Sequence, residues 1–156
     1  MGDSFFEEVI VMEKLIEKLN MHMSNLAVLH RKLQNYHWNV KGPEFFVLHA
    51  KLEEYYDHIN DSIDVVAEEI LKLQGQPLGT MADYLKVATL KEAENKKVSG
   101  AVIIKSLIED FTFMKKEISD IKALADENNV YEVSAMADNY IGEYSKSIWM
   151  LHQSQE

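Results

Sequence analysis

Residues 35–56 read NYHWNVKGPEFFVLHAKLEEYY. Gly42-Pro43 stands in the middle, and a glycine followed by proline breaks a helix. On both sides apolar residues return every three or four positions, the period of a helix with one buried face. The stretch predicts two helices joined by a tight turn. It also raises a question. His37 ends the first helix, His49 comes early in the second, and Glu53 follows one turn later, in a chain with only six histidines.

Working outward, residues 5–38 read as one long helix. Its stripe is Val9, Met12, Ile16, Leu19, Met23, Leu26, His30, Leu33 and His37. Residues 44–74 form the second helix, on Leu48, Leu52, Tyr55, Ile59, Ile63, Val66, Ile70 and Leu73, with Gly75 as its C-terminal stop. Residues 75–98 are a long connection in which Thr80 caps a short helix containing Met81, Tyr84 and Leu85. Ser99 caps a third long helix whose core face runs from Ile103 to Ile121. Asp126–Asn129 breaks the chain again, and Val133, Met136, Tyr140, Tyr144, Ile148 and Leu151 carry a fourth helix. No strand-like alternation persists. The expected fold is all-α: a four-helix bundle of ferritin-like topology, with a short extra helix in the long connection between helices two and three. The 156 residues, 1–156, are expected to form one domain.

Composition narrows the chemistry. There is no cysteine, so thiolate catalysis and iron–sulfur clusters are excluded. No apolar run is long enough for a membrane span. The N-terminus lacks a basic, signal-like segment, and the expected location is cytoplasmic. A net charge of −10 opposes adhesion to nucleic acid or anionic lipid and suits a protein that attracts cations.

The second helix holds the ligand-type residues. His49 and Glu53 are four apart, as are Asp64 and Glu68, and all four fall on a flank between the core stripe and the solvated arc. The two pairs are separated by roughly 22 Å along the axis. One ion with ligands at about 2.0–2.2 Å cannot bridge that gap. An antiparallel copy of the same helix, related by a two-fold axis, would bring His49 and Glu53 of one chain opposite Asp64 and Glu68 of the other, with Tyr56 and Asn60 near the axis. The turn folds His37 back toward His49. The expected metal ligands are therefore His37, His49, Glu53, and the partner's Asp64 and Glu68. Imidazole plus carboxylates suits iron(II), manganese or zinc, and carboxylates stabilise iron(III) once formed. Trp38 stands beside the site, either as an electron donor to a reactive oxidant or as interface packing. Any one of these residues alone reads as packing or solvated surface. It is the agreement of turn and face that makes a site. His30 reads as a core histidine; His22, His58 and His152 read as surface.

At these residues the sequence resembles the Dps family (DNA-binding protein from starved cells), the dodecameric mini-ferritins. The motif is HW-x10-H-x3-E-x10-D-x3-E: His37-Trp38, His49, Glu53, Asp64 and Glu68. HWNVKGPEFFVLH, DVVAEE, GQPLGT and SIWML extend the likeness over about residues 15–152. The resemblance implies a hollow shell of twelve subunits and ferroxidase sites shared across two-fold interfaces. It implies oxidation of Fe(II), preferably by hydrogen peroxide, and storage of the ferric mineral inside. Three departures are visible. Many relatives have Asp at the Glu53 position. The Lys-rich tail of family DNA binders is missing, which argues against DNA binding by a tail. Near the start of the last helix relatives line a pore with acidic residues; Asp126 and Asp138 are candidates, but Tyr131 and Ala135 replace frequent Asp positions. Three other readings compete, the plainest a purely structural bundle with accidental ligands, which predicts no metal-dependent oxidation. A di-iron site inside one bundle needs Glu-x-x-His, and no histidine here has Glu three positions before it. A DNA-binding nucleoid protein with little ferroxidase role needs exposed basic patches.

Overall fold

The computed structural model describes residues 2–156. Its elements are α1 (Gly2–Asn39), β1 (Val40–Lys41), α2 (Phe45–Lys72), α3 (Met81–Val87), β2 (Val98–Ser99), α4 (Gly100–Glu127) and α5 (Tyr131–Gln153). The four long helices form the bundle, and α3 lies in the connection between α2 and α4. The expected all-α fold and its extra helix are both present.

The stripes bury as their period demands. On α4, Ile103, Leu107, Phe111, Met114, Ile118 and Ile121 are all buried. On α2, Leu48, Leu52, Ile59, Val66 and Ile70 are buried, with Tyr55, Ile63 and Leu73 packed partly buried around them. The first fully buried residue of α1 is Leu15. The expected stripe began earlier, at Val9, but Val9 is exposed, as are Phe5, Phe6 and Ile10, because α1 begins before the other helices can cover it.

Local chemistry fixes the ends. Thr80 accepts the Asp83 N–H at 3.2 Å, and Ser99 accepts the Val102 N–H at 3.4 Å, so both expected caps are in place. Two helices stop through the same C-terminal motif. At α2, Gly75 N–H bonds to Ile70 O and Gln74 N–H to Leu71 O, both at 2.9 Å, with Gln74 left-handed at φ 67°. At α4, Val130 N–H bonds to Ala125 O at 2.9 Å, with Asn129 at φ 59°. The expected stop at Gly75 is therefore shifted: the left-handed residue is Gln74. Gly75 is needed for space, since a Cβ there would lie 2.9 Å from the Ile16 side chain. The expected break at 126–129 is also shorter, because α4 runs to Glu127.

Between α1 and α2 the turn uses Gly42 at φ +113°, open to glycine at little cost, and Phe45 N–H closes onto Gly42 O at 3.1 Å. Beside it, β1 and β2 form a two-residue parallel pairing, Val40 with Val98 and Lys41 with Ser99. Two residues are too few to leave an alternation in the sequence. This pairing anchors the end of the connection next to the hairpin.

The rest of the connection is fastened to α1 by polar side chains. Asn20 Oδ1 accepts Leu78 N–H at 2.9 Å. Asn25 Oδ1 accepts the N–H groups of Thr89 (2.8 Å) and Leu90 (2.9 Å). Lys32 donates to Lys91 O at 3.1 Å, and Asn35 to Glu94 O at 3.3 Å. A long stretch with little regular structure meets its backbone hydrogen-bonding needs in this way.

The α1–α4 interface contains a buried polar layer. Lys32 Nζ is 2.8 Å from Asp110 Oδ2. Burial raises the Asp110 carboxyl above the usual aspartate range, and Lys32 pulls the other way. His22 Nδ1 is 2.7 Å from Glu117 Oε1, and Asn25 Nδ2 donates to Glu117 Oε2 at 2.8 Å. His22 is thus not a surface residue: it is 1% exposed. Its partner lies on α4, far away in sequence.

Candidate metal centre

The hairpin brings His37 and His49 together. His37 is buried and His49 half-buried. His37 Nδ1 lies 2.6 Å from the His49 carbonyl oxygen, and His49 Nδ1 lies 2.7 Å from the His37 carbonyl oxygen. A carbonyl only accepts, so each Nδ1 carries the proton and donates. The neutral ring then holds its lone pair on Nε2. The His37 carbonyl is in the last turn of α1, where no helical N–H is left to bond it, so His49 fills a need that the fold creates. The two rings stack with centroids 3.7 Å apart and planes 12° from parallel. Phe45 stacks on His49 at 5.0 Å, and Tyr56 meets His37 edge-on at 5.3 Å.

Imidazoles that ligate metals characteristically donate their other N–H to a backbone carbonyl or carboxylate, which fixes tautomer and orientation. Both rings have that arrangement here. Glu53 lies one turn further along α2, exposed, with Tyr56 Oη donating to its Oε1 at 3.3 Å.

Asp64 and Glu68 are also on α2 and exposed. Their distance from the histidine end is the roughly 22 Å that helix rise dictates. Among the described residues, no three His, Asp or Glu side chains converge closely enough to hold an ion within one chain. The fold therefore brings together His37 and His49, sets Glu53 next to them, and leaves Asp64 and Glu68 on the same open flank at a distance.

Trp38 is 54% exposed, with the Arg31 guanidinium carbon 5.9 Å from its ring centroid and its carbonyl receiving Lys97 Nζ at 3.4 Å. His30 is half-buried and meets Tyr56 edge-on at 5.8 Å. Burial and the neighbouring Arg31 charge push its pKa down, against a smaller opposite pull from Asp57. His58 is exposed and paired with Glu143 at 2.6 Å, and His152 is exposed, as expected.

Tyr56 touches the centre in two ways. It stands three residues after Glu53, the spacing at which helical side chains touch, and its ring meets His37 and His30 of α1 edge-on. The first contact is open to inference from spacing; the second crosses the hairpin and is not.

Comparison with known proteins agrees with this architecture. A family model for the ferritin-like domain matches residues 16–155. A DNA protection during starvation protein of Brevibacillus brevis is 38% identical over 133 residues, covering 85% of this chain and 89% of that protein. The crystal structure of a Dps protein from Bacillus brevis superposes with a TM-score of 0.90 at 36% identity, over 94% of this chain and 97% of the other. A Dps protein of Vibrio cholerae O1, described as a member of a broad superfamily of ferritin-like diiron-carboxylate proteins, superposes with a TM-score of 0.88 at 36% identity, over 92% and 90%. Bundle, crossover helix and these likenesses agree: the chain belongs to the ferritin-like family and, within it, to the Dps proteins.

Proposed function

We propose that this chain is a ferroxidase mini-ferritin of the cytoplasm: it oxidises Fe(II), with hydrogen peroxide as oxidant, and stores the ferric mineral in a hollow homo-dodecamer. The observation that carries the reading is the reciprocal clamp of His37 and His49. It turns both Nδ1 atoms inward as donors and leaves Nε2 as the ligating nitrogen of each ring, next to Glu53, on a chain whose remaining carboxylates are too far away to join them. A second chain, antiparallel across a two-fold axis, completes the set with Asp64 and Glu68 of the partner subunit.

Iron is the substrate. Two ferrous ions give one electron each; the peroxide O–O bond takes both electrons and, with two protons, becomes two waters. The imidazoles bind the ferrous ion, and the carboxylates favour the ferric product. Trp38, at the exposed edge of the site, is assigned as a one-electron donor for turnover with a single ferrous ion: one electron from the iron and one from the indole, with two protons, take the peroxide to two waters. Consuming peroxide and ferrous iron together would suppress hydroxyl-radical formation.

The names of the relatives favour a second reading, DNA protection by binding. The net charge of −10 opposes it. Protection that removes iron and peroxide needs no DNA contact, and the expected gel-shift result at moderate salt is no retardation. A salt-sensitive shift would favour the second reading.

Mixed assembly tests the shared site. His49→Ala and Asp64→Asn chains, each impaired alone, are refolded together. In a mixed pair one site carries both defects and the other carries neither, so random pairing restores about a quarter of the wild-type sites. Initial Fe(II) oxidation that does not rise above that of either parent would overturn the two-chain centre.

A further inference from the structure

Glu53 is the least constrained of the three candidate ligands at the histidine end. It is exposed, and among the described residues no Lys, Arg or His stands within ion-pairing distance of it. A free glutamate side chain has several rotamers to lose before it can ligate, and that loss weakens binding. Its one fixed neighbour is the Tyr56 hydroxyl, at 3.3 Å from Oε1.

Tyr56 is itself held on two sides. Its ring is edge-on to His37 at 5.3 Å and to His30 at 5.8 Å, with interplanar angles of 83° and 79°. These contacts with α1 fix the ring in place. A carboxylate oxygen only accepts, so the phenol hydrogen points to Glu53.

We propose that Tyr56 is a positioning residue of the metal centre: held against His37 and His30 across the hairpin, it holds Glu53 Oε1 and so presents Oε2 to the ion bound by His37 and His49. The inference rests on the ferroxidase reading above. Outer partners of this type change metal affinity by about 10–100-fold when removed.

The test uses the assembled protein and cobalt(II) chloride under anaerobic conditions, followed by the visible absorption of bound cobalt. Tyr56→Phe keeps the ring and removes only the hydroxyl. We expect its cobalt affinity at the site to fall about 10-fold or more, while assembly and thermal midpoint stay at wild-type values. The Glu53→Ala, Tyr56→Phe double variant should bind no more weakly than Glu53→Ala alone, since the hydroxyl acts only through that carboxylate. In Fe(II) oxidation, Tyr56→Phe should raise KM more than it lowers kcat. Wild-type protein that binds cobalt, with an unchanged Tyr56→Phe affinity, overturns this inference alone. Wild-type protein that binds none overturns the metal centre and this inference with it.

Discussion

His37 and His49 each give their Nδ1 proton to the other's backbone carbonyl, at 2.6 and 2.7 Å. One pair of hydrogen bonds closes the α1–α2 hairpin and also sets both tautomers, so stability and ligand readiness share the same atoms. His49→Ala should therefore have two effects. Fe(II) oxidation at low iron loading should slow sharply, and the fold should lose about 1–3 kcal/mol, because the His37 carbonyl loses its donor and the His37 ring its stacked neighbour. Initial rates and thermal melts measure the two. A wild-type rate in a stably assembled variant would remove His49 from the site.

The end of α2 gives a prediction of opposite signs at adjacent residues. Gln74 has a left-handed backbone at φ 67°, which costs a side chain about 1 kcal/mol relative to glycine. Gln74→Gly should stabilise by about that amount. Gly75→Ala should destabilise by about 1–3 kcal/mol, because its Cβ would meet the Ile16 side chain at 2.9 Å. Gly79 has nothing within 4 Å of an added Cβ, and Gly79→Ala serves as the neutral control. Denaturant midpoints distinguish all three.

Asn25 is fully buried and accepts two backbone N–H groups of the connection while donating to Glu117 and Thr89. Asn25→Leu keeps the branched shape and the number of side-chain heavy atoms but leaves those groups unpaired. It should cost about 2–4 kcal/mol, at about 1–3 for each orphaned buried group. Amide exchange should accelerate first at Thr89 and Leu90. Unchanged exchange there would mean that the connection is held by other contacts.

His30 should contribute to the acid limb of stability. Its folded pKa lies below the ordinary 6.5, chiefly through burial and secondarily through Arg31. The unfolded chain therefore binds the proton more readily, and stability falls as the pH drops below about 6.5. His30→Gln should flatten that part of the curve and leave stability at pH 8 less dependent on the change. Parallel curves for both proteins between pH 5 and 8 would show that His30 does not carry this effect.

Much of this fold was legible because it is local. The caps Thr80 and Ser99 depend on side chains three residues from the N–H they serve, and both lie where the sequence placed them. The stripes on α2, α4 and α5 are periodic over many turns. Long-range polar pairing was not legible. His22 shares a second helical stripe with Leu15, Leu19, Leu26, Leu29 and Leu33, all buried, so its period did signal the core; its polar character masked that signal because Glu117 is 95 positions away. Gly75 was correctly marked as special, but for the wrong reason, since its role is close approach to Ile16 rather than backbone handedness. At the candidate centre, the hairpin contact of His37 with His49 was readable from the Gly42-Pro43 turn. The tautomers were not, because they depend on which carbonyl each ring meets.

The crossover between α2 and α4 is long, yet its main-chain groups are gripped by Asn20, Asn25, Lys32 and Asn35, all on one side of a single rod. Length is therefore a poor guide to slack. A protease searching this segment would find fastened points at Leu78, Thr89, Leu90 and Lys91, with solvent-facing runs at 79–83 and 94–97. The rod that carries those fastenings also ends in His37, so the crossover and the histidine hairpin share one support.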